Sequence, residues 1–380
     1  CKWIQRSLIP IIFVVIFYQF GFGDTKLASL YQSIILYEST DKQNLYPAIE
    51  MIRDQEGQFT IDDIVSDVFK DKFKPVDQIK QQVGFFDVTK WLRFEIENLS
   101  DEAVWLIEFA FPLIYEVELY TKEDENLVLL HQGGANYPFH HREISHRNLV
   151  FNLEIEPGTS KTFYVKAVGG ADLHPPITLW NHQRFIEKTE HEFLLLGIFY
   201  GVIIAMIFYN LFLFFSLRMR SYLYYVLVIS FALFGHLSSN GFGFQYFWSH
   251  ATEWNVNASP FWVVATCIAI LVFTRNFLNV DHYIRSYKYV MYTLIPFHLL
   301  VICLLPLFHY PALYIMAFAA FSTFFTVLTT AIIALKRGAR QARFYILGWL
   351  IFLSGLFITT LEKMVILPYS RFTEYAGQAA

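Results

Sequence analysis

The chain has 380 residues, of which 55% are hydrophobic and 16% charged, with a formal net charge of −4. Soluble globular domains carry about 25% charged residues, and the deficit here is confined to one half. From Asp24 to Glu192 there are 16 Lys+Arg against 29 Asp+Glu, and from Phe193 to Ala380 there are 11 against 4. An acidic soluble segment therefore precedes a basic, apolar one. The basic residues flank apolar runs instead of forming one patch, which argues against nucleic acid as a partner.

Residues 1–23 read as an export signal. Lys2 and Arg6 precede an apolar core from Leu8 to Phe20, and Gly21-Phe22-Gly23 supplies small residues before a cut at Asp24. The apolar core is shorter than the ~20 residues of a membrane span. Cys1, Cys267 and Cys303 are the three cysteines, so the soluble half has no disulfide framework. Since the chain opens on Cys1 and stops at Ala380 within a new apolar run, it reads as a fragment at both ends.

Residues 24–80 show only loose alternation, with a short helix expected within Ile61–Phe73. From 84 to 180 the pattern is antiparallel sheet. Leu92, Phe94 and Ile96 alternate with Trp91, Arg93, Glu95 and Glu97, the period-two mark of a half-buried strand. Further strands are expected at Val104–Phe109, Tyr115–Tyr120, Leu149–Ile155 and Thr162–Val168, separated by turns such as Pro157-Gly158. Short strands in this order predict a sandwich or jelly roll over 24–185.

An all-α membrane bundle is expected over 190–380. Phe193–Leu217 carries no formal charge and is long enough to span a bilayer. Apolar stretches follow at about 222–240, 257–274, 289–308, 312–335 and 344–361, and a truncated seventh begins near Phe372. Alternate connections hold nine basic residues, from Arg218 to Arg343, against Lys363 and Arg371 in the other set. Basic connections stay in the cytoplasm, so the first span enters from outside and the segment before it is exported. The aromatic stretch 241–255 fits an outer interfacial belt.

With this layout in place, the residues resemble the bacterial seven-transmembrane receptors with diverse intracellular signalling modules. In the soluble half the similarity lies in Trp91, Arg93 and Asn98, in Leu119-Tyr120, in HHREISHRNLVFNLEI (140–155) and in Leu179-Trp180. In the membrane half it lies in YNLFLFFSLRMRSYLYYVL (209–227), GFGFQYFW (241–248), FTRNFLNV (273–280), RFYILGW (343–349) and Gln378. The resemblance implies a periplasmic jelly roll related to carbohydrate-binding modules, seven spans in the bacterial inner membrane, and a cytoplasmic kinase, cyclase or phosphatase module. It also implies a homodimer. No catalytic motif occurs in these 380 residues, so the chain itself is not expected to be an enzyme.

The candidate ligand-binding residues are Trp91, Arg93, His140, His141, Arg142 and Trp180. Trp91 and Arg93 share a strand face on which an aromatic ring can stack on a sugar while Arg bonds its hydroxyls. The competing reading, that the second sheet covers this face so that Trp91 packs and Arg93 pairs with Glu95 or Glu97, is preferred because aromatics mostly serve burial. Adjacent histidines on a strand point to opposite faces, so His140 and His141 do not suggest a metal; no metal or cofactor is expected. As part of a polar loop they suit ligand contact. In the membrane half Asn210, His236 and Arg275 are candidate relay residues, with interhelical hydrogen bonding and snorkelling as the simpler readings. The expected function is a receptor in membrane lipid that binds a small molecule, with carbohydrate as a candidate. A transporter or channel with a substrate-capturing outer domain is the alternative, disfavoured because Asp and Glu are absent from the span interiors. An adhesion or wall-binding role is the third.

Overall fold

The computed structural model describes residues 33–76, 88–123, 126–169, 177–284 and 286–363. The export signal expected over 1–23 and the seventh span expected near Phe372 lie outside these residues.

The first part is a two-sheet β-sandwich. Its strands are β1 (Ile34–Leu36), β2 (Lys42–Asn44), β3 (Glu50–Asp54), β4 (Lys74–Pro75), β5 (Val88–Asn98), β6 (Val104–Phe109), β7 (Glu116–Glu123), β8 (Asn126–Gly133), β9 (Leu149–Glu154), β10 (Thr159–Gly169) and β11 (Ile177–Trp180). One sheet runs β4-β3-β5-β10-β7-β8, with β1 added in parallel to β5; the other runs β2-β11-β6-β9. The orders β2-β11-β6-β9 and β5-β10-β7-β8 are those of a jelly roll, two Greek keys closed against each other. The expected strands are all present, and the expected alternation holds. Leu92, Phe94 and Ile96 point into a core with Trp105, Ile107, Phe109, Phe151 and Phe163.

The opposite face of the larger sheet is covered locally. Two short helices, α1 (Ile61–Val65) and α2 (Asp67–Lys70), fall in the segment expected to be helical. A capping box starts α1: the Thr60 hydroxyl accepts from the Asp63 amide and the Asp63 carboxylate accepts from the Thr60 amide. Asp54, buried on β3, holds the approach to it by accepting from the amides of Gln58 and Phe59. Ile64, Phe59, Phe69 and Phe73 then close over Ile52, Trp91 and Tyr164.

The second part is helical: α3 (His182–Leu217), α4 (Arg220–Ser239), a short α5 (Phe242–Tyr246), α6 (Thr252–Phe277), α7 (Val280–Tyr283), α8 (Tyr287–Leu304), α9 (His309–Lys336) and α10 (Ala342–Lys363). Five of these (α3, α4, α6, α8 and α9) are long and apolar enough to cross a membrane, and α10 continues the series. The expected apolar stretches match α3, α4, α6, α8, α9 and α10 closely. The difference is at the start of α3. The helix begins at His182, eleven residues before the uncharged run, because Asn181 caps it by accepting from the Gln183 amide at 2.9 Å. Its 36 residues make a rod of about 54 Å, longer than the ~30 Å hydrocarbon core. The surplus lies outside the membrane, on the sandwich.

Candidate functional site: the seam between sandwich and bundle

Strand β6 alternates Trp105, Ile107 and Phe109 inward with Leu106 and Glu108 outward. The outward residues lie under the head of α3. Phe185 packs on Leu106 and Val150, with Ile144 and Trp180 at the margin. Beside this apolar contact sits a buried ionic cluster. Glu108 accepts from Asn148 Nδ2 at 2.6 Å, from Trp180 Nε1 at 2.9 Å and from Lys188 Nζ at 2.5 Å. Lys188 also reaches Glu192 at 3.1 Å, one turn along the helix, and Arg147 meets Glu192 at 2.8 Å. The side chains of Glu108, Lys188, Arg147 and Glu192 are between 2% and 11% exposed. Two carboxylates facing two cations leave the cluster balanced, which is the condition for burying charge tolerably.

His146 lies at the edge of this cluster, its ring parallel to Phe193 (centroids 6.0 Å apart) and edge-on to Phe185. Its Nδ1 accepts from the Asn148 amide at 3.1 Å. Burial, reinforced by Lys188 and Arg147, pushes its pKa down to about 3, so the imidazole is neutral at neutral pH.

The sandwich also meets the connection between α4 and α6. The Phe139 amide donates to the Ser249 carbonyl at 2.8 Å, and the Phe139 and Phe244 rings meet edge to face. Arg142 lies over both rings, 4.7 and 5.7 Å from their centroids. Its Nη1 donates to the carbonyls of His146 and Arg147 at 2.7 and 3.0 Å. Burial lowers its pKa to about 10, leaving it a cation. Gly241 permits the close approach: at φ +81°, a Cβ there would stand 2.7 Å from the Arg147 carbonyl oxygen and 2.9 Å from Pro112 Cβ. A third contact reaches α9. Tyr115 Oη lies 2.7 Å from His309 Nε2, and His309 Nδ1 lies 2.8 Å from Asn257 Oδ1 on α6. The Asn257 oxygen requires the proton on Nδ1, so Nε2 accepts from Tyr115.

The expected site residues divide accordingly. Arg142 and Trp180 belong to the seam, where they bond to protein groups. Trp91 does not present an open face: it is 1% exposed beneath α1 and α2. Arg93 is in register with Glu50 on β3 and bonds its carboxylate through Nε at 3.0 Å and Nη2 at 2.5 Å, beneath the ring of Phe73. This face is thus covered and ion-paired, but by the two short helices where the second sheet was expected, and through Glu50 where Glu95 or Glu97 was expected. Asn98 is also structural, its Nδ2 donating to the carbonyls of Glu102 and Ile155 within a buried turn. His140 and His141 are exposed on a 3-10 turn at the seam.

In the membrane half, Asn210 donates to the Met206 carbonyl one turn back and lines a mostly apolar cavity of about 730 Å³ between α3, α4, α6 and α10. His236 lies near the outer end of α4, edge-on to Phe199. Arg275 pairs with Asp281 at 2.9 Å, both about half exposed, at the far end of α6. The relay candidates are thus not brought together. Glu108, Lys188 and Glu192 were missed by sequence reasoning. The signals were a lone Glu on the outward face of an apolar strand and an i,i+4 Lys-Glu pair directly before an uncharged run.

Comparison with known families gives two matches. Residues 46–181 match the family described as 7TMR-DISM extracellular 2, and residues 192–380 match 7TM diverse intracellular signalling. No curated protein matches the chain. The stretch between the two matched regions is the docked head of α3, where Phe185 and Lys188 sit. An extracellular sandwich, a helical membrane part and both matches in this order show that the chain belongs to the seven-transmembrane receptors with diverse intracellular signalling.

Proposed function

We propose that this chain is the sensing and membrane part of a bacterial inner-membrane receptor, whose periplasmic jelly roll binds a small molecule, with carbohydrate the first class to test. Binding shifts a two-state equilibrium of the helices, which a cytoplasmic output module reads as part of a homodimer. The observation that supports this best is the seam. The first membrane helix begins on the sandwich and is fixed to it by Phe185 and by the buried Glu108–Lys188–Glu192–Arg147 cluster. A ligand moves such an equilibrium only by its differential affinity for the two states, and a rigid joint conveys that difference where a flexible linker would lose it.

A thermal-shift screen of mono- and oligosaccharides on the full chain in detergent identifies the ligand. A Gly-Ser insert between Glu192 and Phe193 then keeps the Phe185, Lys188 and Glu192 contacts and interrupts the helix, releasing only the Phe193 ring from His146. Ligand-dependent output should fall to the unliganded level while ligand affinity persists. An unchanged response would sink the mechanism, and ligand uptake by sealed vesicles would put the transporter reading in its place.

A further inference from the structure

Three histidines from two separate elements meet on the outside of the seam. His140 and His141 lie on the 3-10 turn of the sandwich, and His250 lies in the connection between α4 and α6. The His140 ring is 4.6 Å from that of His141 and 5.1 Å from that of His250. All three are exposed. Arg142 directly follows His140 and His141 in the chain and holds a positive charge over Phe139 and Phe244. Among the described residues, no carboxylate lies within ion-pairing distance of any of the three. Glu143 is turned to His131 and Asn152, and Glu192 is held by Arg147 and Lys188. Glu253 stands on the first turn of α6, three residues beyond His250, and His146 is buried behind the turn.

We propose that His140, His141 and His250 form an acid-released clasp between the sandwich and the α4–α6 connection. Imidazoles change charge between about pH 5 and 8. When neutral, the His140 ring packs against those of His141 and His250, and the seam stays closed by the Phe139–Ser249 hydrogen bond and the Phe139–Phe244 contact. When protonated, His140 and His250 place like charges about 5 Å apart across the seam, next to Arg142 and, among the described residues, without a compensating carboxylate. Separating the two elements relieves that repulsion, so acid favours the open seam. The clasp gives the molecule a second input, external acidity, delivered at the joint through which the sandwich meets the bundle. It rests on the seam's geometry and does not require that the sandwich bind a ligand.

Hydrogen exchange of the full chain in lipid nanodiscs tests this, comparing pH 7.5 with pH 5.5 after correction for intrinsic exchange rates. Protection of the amides in 139–146 and 241–250 should fall by roughly fivefold or more in acid, the scale expected for adjacent like charges near water. The exposed double variant H140Q/H250Q should keep its protection at both pH values. Protection in the unaltered chain that does not change with pH overturns the clasp. An equal loss in H140Q/H250Q also overturns it and assigns the acid effect to another group, with His146 the first to examine through H146Q.

Discussion

Arg147 of the sandwich and Glu192 of the first membrane helix form an ion pair at 2.8 Å, with their side chains only 6% and 11% exposed. They lie 45 residues apart and belong to the two regions matched by different family descriptions. Breaking one side of a buried pair costs about 3–5 kcal/mol because the remaining buried charge loses its compensation. E192Q should therefore lower the thermal midpoint of the full chain in detergent substantially, while the double apolar variant R147M/E192L should recover much of the loss. Equal losses in the single and double variants would show that the pair does not act as a unit.

Gly241 predicts a steric effect at the same seam. G241A combines an unfavourable positive φ with a Cβ 2.7 Å from the Arg147 carbonyl oxygen. A cost of about 1–3 kcal/mol is expected, read as lost protection of the Phe139 amide, with far-ultraviolet circular dichroism unchanged. Full protection in G241A would mean that the connection has room to move away from the sandwich.

Trp91 separates packing from ligand contact. W91A should destabilise the chain by about 3–5 kcal/mol through the cavity it leaves beneath α1. Once a ligand has been identified, its affinity measured well below the lowered melting temperature should stay the same. Weaker binding without a stability change would restore the platform reading.

His146 predicts the direction of a pH effect. Its folded-state pKa, about 3, lies below the ordinary histidine value of about 6.5. Between those values the unfolded chain binds more protons than the folded one, so stability should decline as pH falls from about 6.5 toward 3 and should not depend on this group above pH 7. Melting curves at pH 7.5, 6 and 4.5 check this, and H146Q should flatten the decline.

The sequence made some of this legible and hid the rest for identifiable reasons. The strand Trp91–Glu97 and the apolar runs were readable because alternation and hydropathy are local properties that follow directly from the period of the backbone. Which face of that strand was inward could be read; what covered the other face could not, because α1 and α2 come from a segment some 30 residues earlier with weak periodicity. Glu108 and Lys188 are 80 positions apart, and nothing local marks them as partners. The histidines posed the reverse problem. His140 and His141 were conspicuous as a pair, but His250 joins them only through the fold.

The length of α3 has a mechanical consequence. A helix capped by Asn181 at one end and closed by Arg218 in a left-handed conformation at the other is a single stiff lever. Over about 54 Å, a tilt of only about 5° at the sandwich sweeps the Leu217 end sideways by nearly 5 Å, roughly one helical turn. The sandwich thus has leverage over the cytoplasmic side of the membrane without needing any large motion of its own.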